Sequence, residues 1–197
     1  MIGSLWSGIV AGYGVAVPVG AIGILIAGLS ARTSFKVGAG AGLGAATADA
    51  IYAALAVLGG AALAGAIAPI ATHLRWLAAA VLLALAAHTA WSALRPGTAV
   101  RETRQTTALG AYLAILALTL LNPMTIVYFA ALVLGRGGEG GGIWFVLGAL
   151  LASASWQLLI AASGALAGKF LTTPRARRLT ALASSTVIAA LAVTLLL

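Results

Sequence analysis

The apolar run that begins near the N-terminus ends only at Arg32, the first charged side chain in the chain. Such a run is long enough to cross a bilayer, whose ~30 Å hydrocarbon core takes about 20 helical residues. Yet Pro18 stands inside it, with Gly14, Gly20 and Gly23 on either side. Proline removes a backbone donor and its ring meets the preceding turn, at ~3 kcal/mol in an ordinary helix interior. A membrane span interrupted in this way either has its lost bond repaired by neighbouring helices or puts the break to use.

The rest of the chain is of the same kind. Of its 197 residues 62% are hydrophobic and 7% charged, whereas a soluble domain carries about 25% charged residues. A globule of this length cannot hide so much apolar surface, so most of the chain has lipid as its solvent. The net charge of +8 does not indicate a nucleic-acid partner. The basic residues come in ones to threes between apolar runs rather than gathered on one face. The absence of cysteine excludes a thiol relay and any thiolate metal site. The first run lacks a basic leader and exceeds the ~7–15 apolar residues of a signal peptide, which makes it a retained span.

Six apolar segments are expected, at 5–31, 37–64, 71–94, 108–135, 142–168 and 179–197. No barrel-type alternation runs through them, so helices must satisfy the backbone. The longest break, RPGTAVRETRQTT at 95–107, divides the six into two sets of three. With six crossings, one side holds Arg32, Lys36, Arg95, Arg101, Arg104, Lys169, Arg175, Arg177 and Arg178, and the other only Arg75 and Arg136. The positive-inside rule places the nine in the cytoplasm and both termini outside, in the cell membrane. Three spans per half is an odd number, so a shared fold requires the second half to be inserted upside down. Inverted repeats of this kind are a common plan of secondary transporters, with cargo held where broken helices meet. The expected architecture is an all-α membrane protein of six transmembrane helices. Its two inverted three-helix repeats, 1–94 and 108–197, are joined by a cytoplasmic linker at 95–107, with the first and fourth helices broken. Pro18 interrupts the first span, and Asn122–Pro123 in LNPMT interrupts the fourth.

Asp49 is the one carboxylate within a span, since Glu102 and Glu139 fall in loops. An ionised aspartate near the bilayer centre costs at least ~2.5–3.5 kcal/mol, so it must face the bundle or a wet cavity. It is either a structural tie or a functional group. Tyr52, three residues on, shares its helical face and can hydrogen-bond it. In the fifth span Gln157, with Ser153 and Trp156, stands at a similar distance from Pro123 as Asp49 from Pro18. That makes Gln157 the candidate counterpart of Asp49, with plain helix packing the alternative. His88, inside the third span, can relay protons or simply hydrogen-bond across helices. Gly38, Gly40, Gly42 and Gly44 are not a dinucleotide loop, since no strand precedes them. Small residues at this spacing let membrane helices approach closely, within one bundle or between two copies in a homodimer. One aspartate and two separated histidines do not make a metal site, and no cofactor motif or catalytic triad is present.

VPVGAIGILIAGL, GLGAATADAIYAALAVLG and LLNPMTIVYFAALVLG together resemble the lysine exporter (LysE) family of amino-acid translocators. The resemblance runs over essentially the whole chain, and ATADAIY and the Asn122–Pro123 pair are its most specific parts. In that family the first span typically carries a proline-glycine-proline element, or a variant with one residue inserted after the first proline; Pro18 and Gly20 fit the variant, with Ala21 in place of the second proline. The resemblance implies efflux of amino acids or similar small solutes, coupled to the proton gradient. On the readings of the residues above, Pro18, Gly20, Asp49, Tyr52, Asn122, Pro123 and Gln157 are the expected cargo contacts, with Asp49 and His88 handling the proton. The expected partners are thus an amino acid, a proton and the bilayer. A metal-ion exporter of the wider superfamily and a non-transporting structural subunit are the other readings.

Overall fold

In the computed structural model the described residues are 2–18, 20–67, 69–94, 106–122, 125, 128–129, 142–170 and 174–194, and every regular element among them is an α-helix. Helix α1 spans Ile2–Ala16. Its ladder ends where the Val17 N–H reaches the Tyr13 carbonyl at 2.9 Å, because Pro18 has no N–H to continue it. Gly20 is extended, at φ −94° and ψ −167°, and α2 follows as Ala21–Arg32. The two helices are bent by 79° across this short break, so the interruption expected at Pro18 is a true elbow.

Helix α3, Phe35–Ile67, starts where the Val37 N–H donates to Ser34 Oγ, a serine cap. Helix α4 covers Ala71–Leu94, as the segmentation anticipates. Helix α5, Ala108–Leu120, is capped by Thr107, whose Oγ1 accepts from the Gly110 N–H at 3.0 Å. The continuous α6 runs over Gly142–Phe170. Helix α7, Pro174–Thr194, opens on a proline, which suits a first helical turn where no N–H is needed.

Helix α5 ends at Leu120, just before the break expected at Asn122–Pro123. Beyond Leu120 the Leu121 N–H reaches the Leu118 carbonyl at 3.3 Å, and the Asn122 N–H reaches Thr119 at 3.0 Å. The Tyr52 hydroxyl donates to the Leu120 carbonyl at 2.6 Å. Three of the last four carbonyls of α5, which no helix continues to satisfy, thereby find partners. Pro123 lies outside the described residues. Among those described, Phe35–Gly59, Thr72–Trp91 and Gly142–Lys169 are long and apolar enough to cross a membrane, and the bent pair α1–α2 is so when taken together. The apolar parts Ala108–Leu120 and Ala181–Val193 are shorter. The fourth expected span runs on past Leu121 into residues largely outside those described.

Helix α6 packs against α1, α2 and α3; α3 packs also on α5 and α2, and α7 packs on α4 and α2. Glycine makes these approaches close. A Cβ on Gly8 or Gly12 would strike the Phe145 or Ala149 carbonyl of α6, and one on Gly148 would strike the Leu5 carbonyl of α1. Further along α6, Gly164 and Gly168 lie against the Ala27 and Ala31 carbonyls of α2. One straight rod therefore lines both arms of the elbow. On α3, Gly40 and Gly44 meet the Ala108 and Tyr112 carbonyls of α5, Gly38 meets Ser30, and Gly42 meets Gln157. The glycines expected to serve packing are thus in contact inside the bundle.

The outer surface is apolar, as lipid demands: Leu58, Leu109, Leu151 and Leu166 are exposed, as are Trp76 and Trp91 near the two ends of α4. Tryptophan favours the two membrane–water boundaries, which these positions suit.

Candidate functional site

The elbow, Asp49, Asn122 and Gln157 converge on one cavity of about 300 Å³. Val15 and Ala16 from the end of α1, Pro18 and Gly20 from the elbow, and Ala21, Ile22 and Gly23 from the start of α2 form one wall. The first bond of α2 runs from the Ile24 N–H to the Gly20 carbonyl at 3.3 Å. The N–H groups of Ala21, Ile22 and Gly23 therefore precede the helix's own ladder. No side chain caps them. A helix start of this kind carries a partial positive charge and suits an anion, while the end of α1 carries the opposite sign. The elbow thus brings both polarities to a single space.

Asp49 reaches that space from α3. The buried positions Ala41, Ala45, Ala48, Tyr52 and Ala56 recur every three or four residues, the spacing of one helical stripe. Asp49 falls on that stripe and is only 3% exposed. The Ser153 hydroxyl of α6 donates to its Oδ2 at 2.6 Å. Ser153 itself lies on a stripe with Ala149, Gln157 and Ala161, all buried. The two inward stripes face each other where α3 packs on α6, and the carboxyl and the hydroxyl meet there.

Of the other expected contacts, Pro18, Gly20, Asn122 and Gln157 also line the cavity. Tyr52 is buried, but it does not bond Asp49 as its spacing suggests. Its hydroxyl is committed instead to the Leu120 carbonyl at the end of α5. His88 is exposed on the outside of α4 and is not among the cavity's lining residues. Thr119 and Thr125, both buried and both lining the cavity, were not singled out by sequence. Their signal is the pair of hydroxyls flanking Asn122 within an otherwise apolar run. Among the described residues no group of three histidine or carboxylate side chains is placed to hold a metal ion.

A second pattern links the halves. Gly40 and Gly148, Thr47 and Ser155, and Asp49 and Gln157 are each separated by 108 positions. Gly40 lies on the start of α5, and Gly148 on that of α1. The Tyr112 hydroxyl of α5 donates to Thr47 Oγ1 at 3.1 Å, and Tyr13 of α1 is hydrogen-bonded to Ser155 Oγ at 2.8 Å. Helices α5 and α1 thus each send a tyrosine to a hydroxyl, on α3 and on α6 respectively.

Residues 14–197 match the model of the LysE type translocator family. Neither the comparison with curated proteins nor that with solved structures gives a match.

Proposed function

The chain belongs to the LysE type translocator family and is accordingly a multi-pass membrane transporter; from that premise we propose that it exports an amino acid, or a similar small solute, in exchange for protons. The observation that carries this reading is Asp49, 3% exposed at the wall of a cavity opened by the elbow between α1 and α2. An acid is costly at this depth, and a structural tie would not need a cavity beside it.

The cargo carboxylate takes the free N–H groups at the start of α2, and its ammonium takes Asp49 together with the carbonyl-rich end of α1. Ser153 holds one carboxylate oxygen in place, so the other can meet cargo or proton. Asp49 then carries a proton or a cargo ammonium, never both, and that exclusion is what couples the two flows. One charge moving through 100 mV supplies ~2.3 kcal/mol, enough for roughly forty-fold accumulation at ~1.4 kcal/mol per tenfold.

The paired contacts 108 positions apart support two inverted halves, 1–94 and 108–197, joined on the cytoplasmic side by 95–107. In such a plan the cavity opens to either side as one half rocks against the other. The decisive measurement is efflux from proteoliposomes under a pH gradient. Asp49→Asn, nearly the same shape without the charge, should abolish gradient-driven efflux while the protein remains inserted and monodisperse. Full efflux from that variant would remove Asp49 from the mechanism.

A further inference from the structure

Gln157 is the buried polar group that the transport scheme leaves unemployed. It is 7% exposed, its Oε1 has no hydrogen-bond partner, and it lines the cavity beside the elbow. A buried acceptor without a donor is rare, and it calls for a group that arrives from outside. Gln157 also stands 108 positions after Asp49, in the register that pairs Thr47 with Ser155. Where one half offers a carboxyl to the cavity, the other offers a carboxamide.

That difference sets the charge the cavity can neutralise. Asp49 is the one charged side chain among its described lining residues, and Ala78, Leu82, Leu118, Ile160 and Leu191 make up much of the remaining wall. A second ammonium on the cargo would find no second acid, and a side-chain carboxylate would find no cation. Either would be buried unpaired at high cost. A single ammonium has three N–H donors, enough to serve Asp49 and the vacant Oε1 together.

Resting on the export reading above, we propose that Gln157 determines specificity: its Oε1 accepts a hydrogen bond from the ammonium of a neutral α-amino acid whose apolar side chain lies against Leu82, Leu118 and Ile160. The choice of amide over carboxylate at this one position excludes lysine and arginine as preferred cargo.

Counterflow of labelled L-leucine, L-lysine and L-glutamate into proteoliposomes of the full chain tests this. The unaltered protein should exchange leucine with roughly tenfold or greater preference over lysine and glutamate. Gln157→Glu, of equal size, should shift the leucine-to-lysine ratio towards lysine by roughly tenfold, because it supplies the missing counter-ion. On the unaltered protein 4-methylpentanoate, which is leucine without its ammonium, should fail to compete. Preference for lysine by the unaltered protein, strong competition by 4-methylpentanoate, or an unchanged ratio in a well-folded Gln157→Glu would each overturn the assignment, and a water resting on Oε1 would give the last of these. Counterflow of no amino acid at all would instead overturn the export reading beneath it.

Discussion

Tyr52 illustrates how little of a side chain's role its neighbours in sequence reveal. Its spacing from Asp49 suggests a hydrogen bond within one helix face, yet the hydroxyl closes a carbonyl 68 positions away. That bond repairs the end of a helix which stops inside the bundle. Tyr52→Phe removes the donor and leaves the Leu120 carbonyl short of a partner, a cost of about 1–3 kcal/mol. Thermal unfolding of the variant in detergent should therefore begin at a lower temperature, while cargo preference stays as it was; an unchanged melting temperature would show that the carbonyl finds another donor. Asp49 and Pro18 were legible because an acid and an imino acid stand out against a background of alanine and leucine. Ser153, 104 positions from Asp49, could be placed on the right helix face by periodicity but not paired with its acceptor. Only the packing of α3 on α6 makes that pair, and small residues advertise a close approach without naming the partner.

At the scale of elements, the elbow is the consequential feature. Its cause is local: a residue without an N–H, followed by a glycine in extended conformation. Pro18→Ala restores the donor and removes the ring clash, so α1 can continue towards α2. The variant should be at least as stable as the parent and should lose transport by roughly tenfold or more, since small displacements of a binding wall are amplified in rate. Normal affinity and turnover would mean that the break serves packing alone. The helix boundaries show what periodicity can and cannot supply. The segment 71–94 coincides with α4, where apolar and polar composition change together. The break expected at Asn122–Pro123 in the fourth span falls just after α5 ends at Leu120, and most of that span beyond it, to residue 135, lies outside the described residues.

For the whole molecule, the placement of basic residues bears on which way the bundle is inserted. In the proposed six-span plan nine basic residues fall on one side and two on the other, and the positive-inside rule then predicts a linker at 95–107 that faces the cytoplasm. The lack of native cysteine makes this directly measurable. Gly3→Cys in intact cells should react with a membrane-impermeant maleimide, and Ala99→Cys should react only after the membrane is opened. The reverse pattern would overturn this orientation, while the direction of exchange would still follow the proton gradient that drives it. The arrangement of α6 bears on how such a molecule can move. Since its glycines rest on backbone atoms of both α1 and α2, the angle of the elbow is held by a splint, and no side-chain rotation can relax it. Any working stroke has to slide the splint along at least one arm, which makes the seam at Gly164 and Gly168 the place where a small wedge would jam the machine.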